Sequence, residues 1–593
     1  MRRLLDFELE RLKEHPAKPI YASHEFSKLS EGLCYATFKT KGFAPQIIQD
    51  GEFVTVKSEL ARYISQGVFL NLESRKLCVL FDRDPGLIEG DPCVILPCSE
   101  EVLLRLQLSA ISKLEEKKQK HQEVIDRLLF GEAVFQSPPE INVSFFDQTL
   151  NQSQRKAVMR SVALTGETPF HLIHGPPGTG KTKAIVEIAA QLASSGESVL
   201  VVSHMNVAVD NVLEGLAEAH PRLEISRVGS PVKVSQKMRR FSHALSWSRS
   251  SLIVGATLSK LLMLVKLGKL DWDNPLFSSV IMDESSTATI PVTLSGIMLG
   301  RTFILVGDHL QLPPIVFARS KLAPPERKLT RSLFEVLIEK YPAMKTLLNI
   351  QYRSNRKIAG FSAQYVYGGE LLTSETAADK VLLLPRFDRV KHHAFREIID
   401  PINPIVWVES SRHDKHEWIR LATGHSAVNT YQAALTLKLV KEFSKAGMIE
   451  SDLLVITPFR LQRMLLRRVA VGQKTLDETP SVFSLFDQSA STVDAFQGKQ
   501  RRAVIYSLTT SKPSLALADI RRLNVALTRA EEKLVVIGSK SLAAADLYAK
   551  LYRYFQQYGV VVEGPPPEAL RREFEQVETT VKHILLEKPA ETA

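Results

Sequence analysis

The sequence is poor in cysteine and has no long apolar run, and each shortage excludes a class of protein. Four cysteines occur among 593 residues. They are Cys34, Cys78, Cys93 and Cys98. Their spacing fits no common zinc pattern and no histidine lies at a pairing distance, so we expect free thiols in a reducing compartment, the cytoplasm or the nucleus. No stretch of about 20 apolar residues occurs, so neither a membrane-spanning helix nor a membrane partner is expected.

The opening stretch does not read as a signal peptide, because MRRLLDFELERLKEHP carries acidic residues inside its apolar run. It predicts an amphipathic helix instead. The chain has fewer acidic than basic residues in total. Its 76 Lys and Arg against 65 Asp and Glu give a net charge of +11 and a pI near 9.2. A basic surplus of this size favours a polyanionic partner without requiring one.

Changes in pattern divide the chain into segments. Short strand patterns such as LCYATF, EFVTVK and KLCVLF predict a small β-barrel, and EEVLLRLQLSAISKLEEKKQKHQEVIDRLLF predicts a helical stalk or hairpin. Uninterrupted apolar strands then alternate with helical patterns, which is typical of parallel sheets buried on both faces. The predicted order is an N-terminal helix (1–29), a β-barrel accessory subdomain (30–99), a helical stalk (100–135), a first α/β domain (136–340) with a short insertion near 231–250, a second α/β domain (341–545) and C-terminal helices (546–593).

The stretch GPPGTGKT fits the phosphate-binding pattern G-x-x-x-x-G-K-T between a predicted strand and a predicted helix. Its residues are Gly175, Pro176, Pro177, Gly178, Thr179, Gly180, Lys181 and Thr182. The glycines let backbone N–H groups approach phosphate oxygens, and the helix N-terminus adds a favourable dipole. Lys181 is expected to reach the β- and γ-phosphates of ATP, and Thr182 to hold Mg²⁺ through its hydroxyl. The alternative is a glycine-rich turn that binds nothing.

Two later strands end in residues suited to nucleotide hydrolysis. SVIMDESS places Asp283 to hold Mg²⁺, directly or through a water, and Glu284 to polarise the attacking water. In VGDHLQLPP, Gln311 is placed to sense the γ-phosphate or orient water, and Asp308 to order the loop. The alternatives are an ordinary strand end and a turn rich in polar caps.

Phosphoryl transfer gains from a positive charge brought to the developing oxygen charge, and two later segments offer arginines for this. They are NIQYRSN, with Arg353, and RRLNVALTRA, with Arg529. Single arginines more often form surface ion pairs, so these two gain support only from the order of all the motifs together.

That order resembles the superfamily 1 helicases of the up-frameshift type, close to the immunoglobulin-mu-binding-protein helicases. The matching stretches are NQSQRKAV, GPPGTGKT, VSHMNVAVDNV, DESS, VGDHLQLPP, QYRSN, VITPFRLQ, STVDAFQGKQ and RRLNVALTRA, over about residues 150–540. The resemblance implies two tandem RecA-like parallel-sheet motor domains of α/β class, with the N-terminal small β-barrel and helical stalk as an accessory subdomain.

The resemblance also implies residue roles. Gln154 would read the adenine edge, Tyr352 would stack on the base, and Arg353 and Arg529 would contact the γ-phosphate from the second motor domain. The family's FQGRE ends in an acidic residue that contacts the ribose, whereas this chain has Gln500. The glutamine that usually follows the family's DESS-type motif is replaced by Thr287, and the family's second inserted subdomain is trimmed.

A translocase must also hold a single strand across both motor domains. By resemblance, the strand-contacting residues are Ser203, Asn206, Thr257, Thr457, Pro458 and Thr492. Such small donors contact phosphate and sugar and carry no sequence information. The basic stretch RLQRMLLRR (460–468) either adds phosphate contacts or forms a solvated helix face.

The sequence therefore predicts an ATP hydrolase, a DNA or RNA helicase that moves along one strand, 5′ to 3′ by resemblance, with ATP and Mg²⁺ as cofactors. The expected partners are single-stranded DNA or RNA and duplex junctions, and the motor is expected to be monomeric. One alternative is an ATP-regulated nucleic-acid-binding clamp or remodeller without unwinding activity, which Thr287, Gln500 and the trimmed insertion favour. A further alternative is a nucleoside triphosphatase that acts on proteins.

Overall fold

A computed structural model describes most of the chain. The described residues are 1–14, 20–30, 33–40, 53–58, 60, 64–73, 76–81, 84–116, 120–131, 134–229, 234–243, 246–248, 250–316, 322–420, 426–472, 490–491 and 500–586. They divide into two compact units, the first being Met1–Gly175, Gly180–His309 and Pro313–Leu348, and the second Pro176–Thr179, Leu310–Leu312 and Asn349–Ala593.

The first unit opens with a helix, Arg2–Glu14, followed by a closed antiparallel barrel. Around the barrel the strands run Ile20–Ser30, Leu33–Thr40, Lys76–Phe81, Ile64–Glu73, Phe53–Ser58 and Pro92–Pro97. The predicted N-terminal helix over 1–29 is therefore wrong beyond Glu14, because Ile20–Ser30 is a strand. Its inward side chains Ile20, Ala22 and His24 alternate with outward ones, which is the two-residue period of a strand.

Two helices, Ser99–Glu116 and Lys120–Phe130, form the stalk, which is a hairpin rather than one long helix. Ala110, Leu114 and Leu128 are buried in the same apolar core as the first α/β sheet. Lys113 contributes an ion pair of 2.6 Å to Asp273. The stalk is thus packed onto the first α/β domain by apolar burial, and its charged residues line the outside.

An eight-stranded, all-parallel sheet forms the centre of the first unit. Its strand order is Ser242–His243, Ile225–Val228, Ile253–Thr257, Val199–Ser203, Phe277–Met282, Gly300–Gly307, Phe170–His174 and Lys345–Leu347. The last strand lies beyond residue 340, so the sheet of the first domain continues past its predicted end. The helices of this part are Gln152–Val162, Lys181–Ser194, Asn206–Ala219, Leu258–Lys266, Ile290–Ile297 and Leu333–Lys340, with 3₁₀ turns at Arg239–Phe241, Ser285–Thr287, Pro324–Thr330 and Pro342–Met344.

The second unit has a six-stranded parallel sheet. Its order is Ala490–Ser491, Leu453–Ile456, Arg501–Ser507, Ala530–Gly538, Ile405–Glu409 and Val560–Glu563, and two small ladders pair Ile350–Gln351 with Leu372–Thr373 and Glu417–Arg420 with Ser426–Asn429. The helices are Arg356–Tyr365, Glu375–Ala378, His393–Ile399, Thr430–Lys445, Arg460–Gly472, Leu515–Ala518, Ile520–Leu527, Asp546–Tyr558 and Arg571–Leu586; 3₁₀ turns lie at Phe387–Arg389, Ser411–His416, Glu450–Asp452, Lys540–Ala544 and Pro567–Leu570.

The C-terminal segment differs from its prediction as helices alone. Between its two helices, Val560–Glu563 is an edge strand paired in parallel with Ile405–Glu409. The long helix Arg571–Leu586 packs on Thr430–Lys445 and buries Val577 and Val581 in the core of this unit. The predicted fold class, two parallel-sheet α/β motor domains with a small barrel and a stalk, is confirmed. In the described part of the chain, no helix is long and apolar enough to cross a membrane.

Candidate nucleotide site and strand-binding residues

The phosphate loop joins strand Phe170–His174 to helix Lys181–Ser194. Gly178 and Gly180 have φ of +73° and +77°, a left-handed backbone that suits glycine. The Lys181 ammonium donates to the Gly175 carbonyl at 2.8 Å. The first N–H groups of the helix that begins at Lys181 have no carbonyl partner within the helix, and no side chain caps them, an arrangement that suits an anion. The strand, loop and helix are thus arranged as a phosphate site requires.

Gln154 lies against this loop. It is the third residue of helix Gln152–Val162, and a capping box fixes it: its backbone N–H donates to Asn151 Oδ1 at 2.9 Å, and its Oε1 accepts from the Asn151 N–H at 3.0 Å. A methyl group added at Gly180 would come within 2.5 Å of Gln154 Nε2. The glutamine that the resemblance assigns to adenine is therefore rigidly held beside the loop expected to hold phosphate.

The two acidic residues follow strand Phe277–Met282 at the same edge of the sheet. Asp283 is buried, and its backbone N–H donates to the Val202 carbonyl at 2.8 Å. Burial and the Glu284 carboxylate raise the pKa of Asp283 to about 7, whereas the Lys181 ammonium lowers it. An ionised carboxylate in this position is stabilised by added positive charge, so Asp283 suits a divalent cation. Thr182, at the start of the neighbouring helix, supplies a hydroxyl of the type that completes such a site.

Glu284 has an unusual backbone. Its φ is +55°, one of two such values among the described non-glycine residues. The Glu284 N–H donates to Asp283 Oδ1 at 2.9 Å, and its carbonyl accepts from the Thr287 hydroxyl at 2.8 Å. The same hydroxyl lies 3.2 Å from Nδ1 of His204. Desolvation lowers the pKa of His204 below its ordinary value, and the nearby Glu284 carboxylate partly offsets this by favouring the protonated ring. The residue as a whole is exposed at the surface.

A third group of side chains lies where strand Gly300–Gly307 ends. The Asp308 N–H donates to the Ser286 hydroxyl at 3.1 Å, and His174 Nε2 lies 3.0 Å from Asp308 Oδ1. One ligand atom each from His174, Asp308 and His309 lie within 4.8 Å of one another. This set offers two nitrogens, whereas Mg²⁺ prefers oxygen ligands, so Asp283 remains the better candidate for Mg²⁺. Gln311, in the loop after this strand, is buried.

The strand-contact candidates of the first unit share one end of the sheet. Ser203 and Thr257 are the last residues of neighbouring strands and are paired in register, and both are buried. Asn206 begins helix Asn206–Ala219, and its Oδ1 accepts from Arg227 Nη2 at 2.8 Å. Arg227 is fully buried and also pairs with Asp210 at 2.6 Å. This ion pair fixes the start of the helix where Asn206 lies.

The two predicted arginines of the second unit lie near each other. Tyr352 is 38% exposed. Arg353 follows it, and its N–H donates to Gln351 Oε1 at 2.8 Å, while its Nη1 lies 3.4 Å from the Thr528 carbonyl. Arg529, the next residue, is buried and donates through Nε to the Val525 carbonyl at 3.2 Å. The structure thus brings Arg353 to the turn that carries Arg529.

The remaining candidates of the second unit are three strand-contact residues and the glutamine assigned to ribose, and one of them lies outside the described residues. Thr457 is buried, and its hydroxyl lies 2.9 Å from that of Thr509, whose φ is +69°. Pro458 follows Thr457, just beyond the end of strand Leu453–Ile456. Gln500 is exposed just before strand Arg501–Ser507. Thr492 lies outside the described residues, so its predicted contact with the strand stays a prediction.

Sequence reasoning missed three residues of this region: His174, His204 and Arg227. His174 directly precedes the phosphate loop and His204 lies inside VSHMNVAVDNV, so their motif positions were the available signal. Arg227 had no such signal, because only the folded chain brings it to Asp210 and Asn206.

Comparisons with known proteins find relatives along most of the chain. A family model described as AAA domain matches residues 149–252 and 244–319, and a second model with the same description matches residues 329–541. An uncharacterised ATP-dependent helicase of Methanocaldococcus jannaschii is 29% identical over 517 residues, covering 72% of this chain and 72% of that protein. The DNA replication ATP-dependent helicase/nuclease DNA2 of Bos taurus is 31% identical over 540 residues, covering 85% of this chain and 49% of that protein.

The fold and the loop define a P-loop nucleoside triphosphatase with two parallel α/β units. The chain belongs to the superfamily 1 helicases of the up-frameshift and DNA2 type, a class of ATP-dependent helicases, and this confirms the predicted family. It spans about half of the bovine DNA2 relative. A solved arterivirus nonstructural protein 10 helicase is similar over 90% of this chain and 79% of that one, at 12% identity and a TM-score of 0.37.

Proposed function

We propose that the protein is an ATP-driven translocase that moves 5′ to 3′ along a single strand and unwinds duplexes at their junctions, acting as a monomer. One observation carries the proposal: the phosphate loop and the Asp283–Glu284 pair lie at the carboxyl ends of parallel strands in one sheet. The charge of Lys181 acts on the pKa of Asp283, as expected of groups that share a site.

Each side chain then has a chemical task in ATP hydrolysis. Lys181 binds the β- and γ-phosphates, and Thr182 with Asp283 would hold Mg²⁺, which neutralises phosphate charge. Glu284 accepts a proton from the attacking water. Gln311 orients that water. Arg353 and Arg529 supply positive charge to the γ-phosphate, and Gln154, Tyr352 and Gln500 bind adenine and ribose.

The strand is proposed to run along Ser203, Asn206, Thr257, Thr457, Pro458 and Thr492. Ser203 and Thr257 end strands, Asn206 begins a helix, and Thr457 and Pro458 follow a strand, so the described members offer hydroxyl, amide and backbone groups that suit contacts with phosphate and sugar. The name of the bovine relative contains DNA replication, which favours DNA as the track. Rates of ATP hydrolysis with single-stranded DNA and RNA of equal length, measured over a salt titration, distinguish the two.

The test of the proposed function is an ATPase assay with and without single-stranded nucleic acid. We expect hydrolysis to rise with the strand, Lys181→Ala to abolish it, and Glu284→Gln to bind ATP without hydrolysing it. Circular dichroism of both variants should match the wild type. A wild-type rate that neither DNA nor RNA changes would refute the proposal.

A second candidate, an ATP-regulated clamp without unwinding activity, is favoured by Thr287 and Gln500, which depart from the family pattern. A forked duplex separates the two candidates. Strand displacement that requires ATP and exceeds the rate of Glu284→Gln supports the helicase. Stimulated hydrolysis without any strand displacement supports the clamp.

A further inference from the structure

Thr287 connects the hydrolytic site to a second loop of the first unit. Its hydroxyl lies 2.8 Å from the Glu284 carbonyl and 3.2 Å from His204 Nδ1, with Nε2 of the same ring at 3.4 Å. A hydroxyl has one proton to donate, and a carbonyl only accepts. Thr287 therefore donates its proton to Glu284, and its oxygen also lies against the His204 ring, nearly equidistant from the two nitrogens, so that the three residues contact one another in series.

The Glu284 end of this series is the strained end. A left-handed backbone at a non-glycine residue persists only where its surroundings hold it in place. Here Asp283 Oδ1 accepts from the N–H of Glu284 at 2.9 Å, and the Thr287 hydroxyl and N–H both bond its carbonyl, at 2.8 and 3.2 Å. The neighbouring Ser285 hydroxyl donates to the Val306 carbonyl at 2.9 Å. Thr287 thus contributes two of the bonds that fix the direction of Glu284.

The His204 end belongs to the candidate strand-binding loop. His204 lies between Ser203 and Asn206, and the ring keeps part of its surface exposed. The start of the following helix is held firmly, since Asn206 accepts from the buried Arg227, which pairs with Asp210. A phosphate that binds at Ser203 or Asn206 therefore acts on a short loop with one rigid end, and His204 is the side chain of that loop that reaches the Glu284 turn.

We propose that His204 and Thr287 are positioning residues that couple strand binding at residues 203–206 to the orientation of Glu284, and so to the rate of ATP hydrolysis. This inference rests on the proposed function. In this proposal, neither residue contacts the nucleotide or the strand. Their effect is on how well Glu284 is aligned when the loop is occupied.

The experiment compares variants that remove the link with variants that keep it. Thr287→Val and His204→Leu remove the polar contact between the two side chains, whereas Thr287→Ser keeps the hydroxyl and His204→Gln keeps a polar side chain. Thr293→Val is the matched control, because the Thr293 hydroxyl bonds only the Thr289 carbonyl in its own helix, at 3.2 Å. The readouts are the ATPase rate without strand, the rate at saturating oligo(dT), the KM for ATP, and the Kd for oligo(dT) by fluorescence anisotropy.

We expect Thr287→Val and His204→Leu each to lose about fivefold of the stimulation by oligo(dT), the size of one polar contact converted to a rate. In His204→Leu, which keeps the bond from Thr287 to Glu284, the rate without strand should stay within about twofold of the wild type; in Thr287→Val it should fall, but by less than the stimulated rate. The KM for ATP and the Kd for oligo(dT) should stay within about twofold in both variants. The double variant should lose no more than either single variant, because both remove the same link. Thr287→Ser, His204→Gln and Thr293→Val should keep full stimulation.

Three results would overturn the coupling: full stimulation in Thr287→Val, an equal loss of the rates with and without strand, or additive losses in the double variant. Equal losses would mean that Thr287 only supports the fold of the turn. Failure of the proposed function is visible separately, since it would appear in the wild type as hydrolysis that oligo(dT) does not stimulate.

Discussion

Gly180→Ala should weaken ATP binding strongly, for two reasons visible in the loop. Gly180 has a φ of +77°, and an alanine held in the left-handed region costs about 1–2 kcal/mol. The added methyl would also lie 2.5 Å from Gln154 Nε2. A contact this short requires the glutamine to move.

Gln154 has little freedom to move. It is 2% exposed, and its Oε1 accepts the Asn151 N–H in the capping box. Displacing the side chain breaks that bond, at about 0.5–1.5 kcal/mol. The two costs together come to about 1.5–3.5 kcal/mol, which corresponds to a Kd for ATP that is roughly 10- to 400-fold higher. The cost falls on ATP binding because the loop must adopt this shape to surround phosphate.

Competition binding against a fluorescent ATP analogue, with Mg²⁺ present, measures this effect. Gly196→Ala is the control, since Gly196 has a φ of +82° with no atom within 4 Å of an added methyl. It should lower the free energy of unfolding by about 1–2 kcal/mol and leave the Kd for ATP unchanged. A Gly180→Ala protein that binds ATP within about threefold of the wild type would refute the geometry argued for the loop, since that corresponds to less than 1 kcal/mol.

Three further predictions concern stability and strand binding. Asp210→Ala leaves the buried Arg227 without its carboxylate and should lower the free energy of unfolding, followed by thermal denaturation, by about 3–5 kcal/mol. The double variant Asp210→Leu with Arg227→Met should recover most of this loss. An equal loss in the two proteins would contradict the prediction. Burial lowers the pKa of His171 to about 3 from 6.5, so the unfolded chain binds a proton that the folded chain does not. Stability should therefore fall as the pH drops from 6.5 towards 3, by up to about 1.4 kcal/mol per pH unit, and less steeply in His171→Gln when melting is followed against pH. Arg460→Gln with Arg468→Gln should reduce the salt slope of single-strand binding by about 1.4 if both contact phosphate, and an unchanged slope would assign this helix face to solvent.

The sequence predicted the sheet strands best where they are apolar and buried on both faces. The apolar runs FHLIH and VLVVS, for example, form the strands Phe170–His174 and Val199–Ser203. Among the strands that were missed are Ile20–Ser30 and Val560–Glu563. The first has polar residues on its outer face and comes soon after a segment with a helical pattern. The second is short and pairs with a strand some 150 residues earlier in the chain. Neither has the uninterrupted apolar run that indicates a central strand.

For the site, the motifs identified residues that follow directly from local sequence, such as Lys181 and Asp283. They gave no sign of the left-handed backbone of Glu284 or of its bonds to Thr287. Thr287 was noted only as a departure from the family pattern, and His204 not at all. Their contact joins the ends of two adjacent strands, and nothing in the spacing of residues 204 and 287 along the chain predicts it.

The edge strand Val560–Glu563 has a practical consequence for anyone who shortens this protein. A chain ending near residue 545, where the last motif of the motor is already complete, would leave Ile405–Glu409 as an unpaired edge with exposed backbone donors and acceptors. It would also uncover the apolar surface that Val577 and Val581 now fill. Both features promote aggregation. Strand Val560–Glu563 and helix Arg571–Leu586 therefore contribute to the stability of the second unit, although no residue assigned above to nucleotide or strand lies in them.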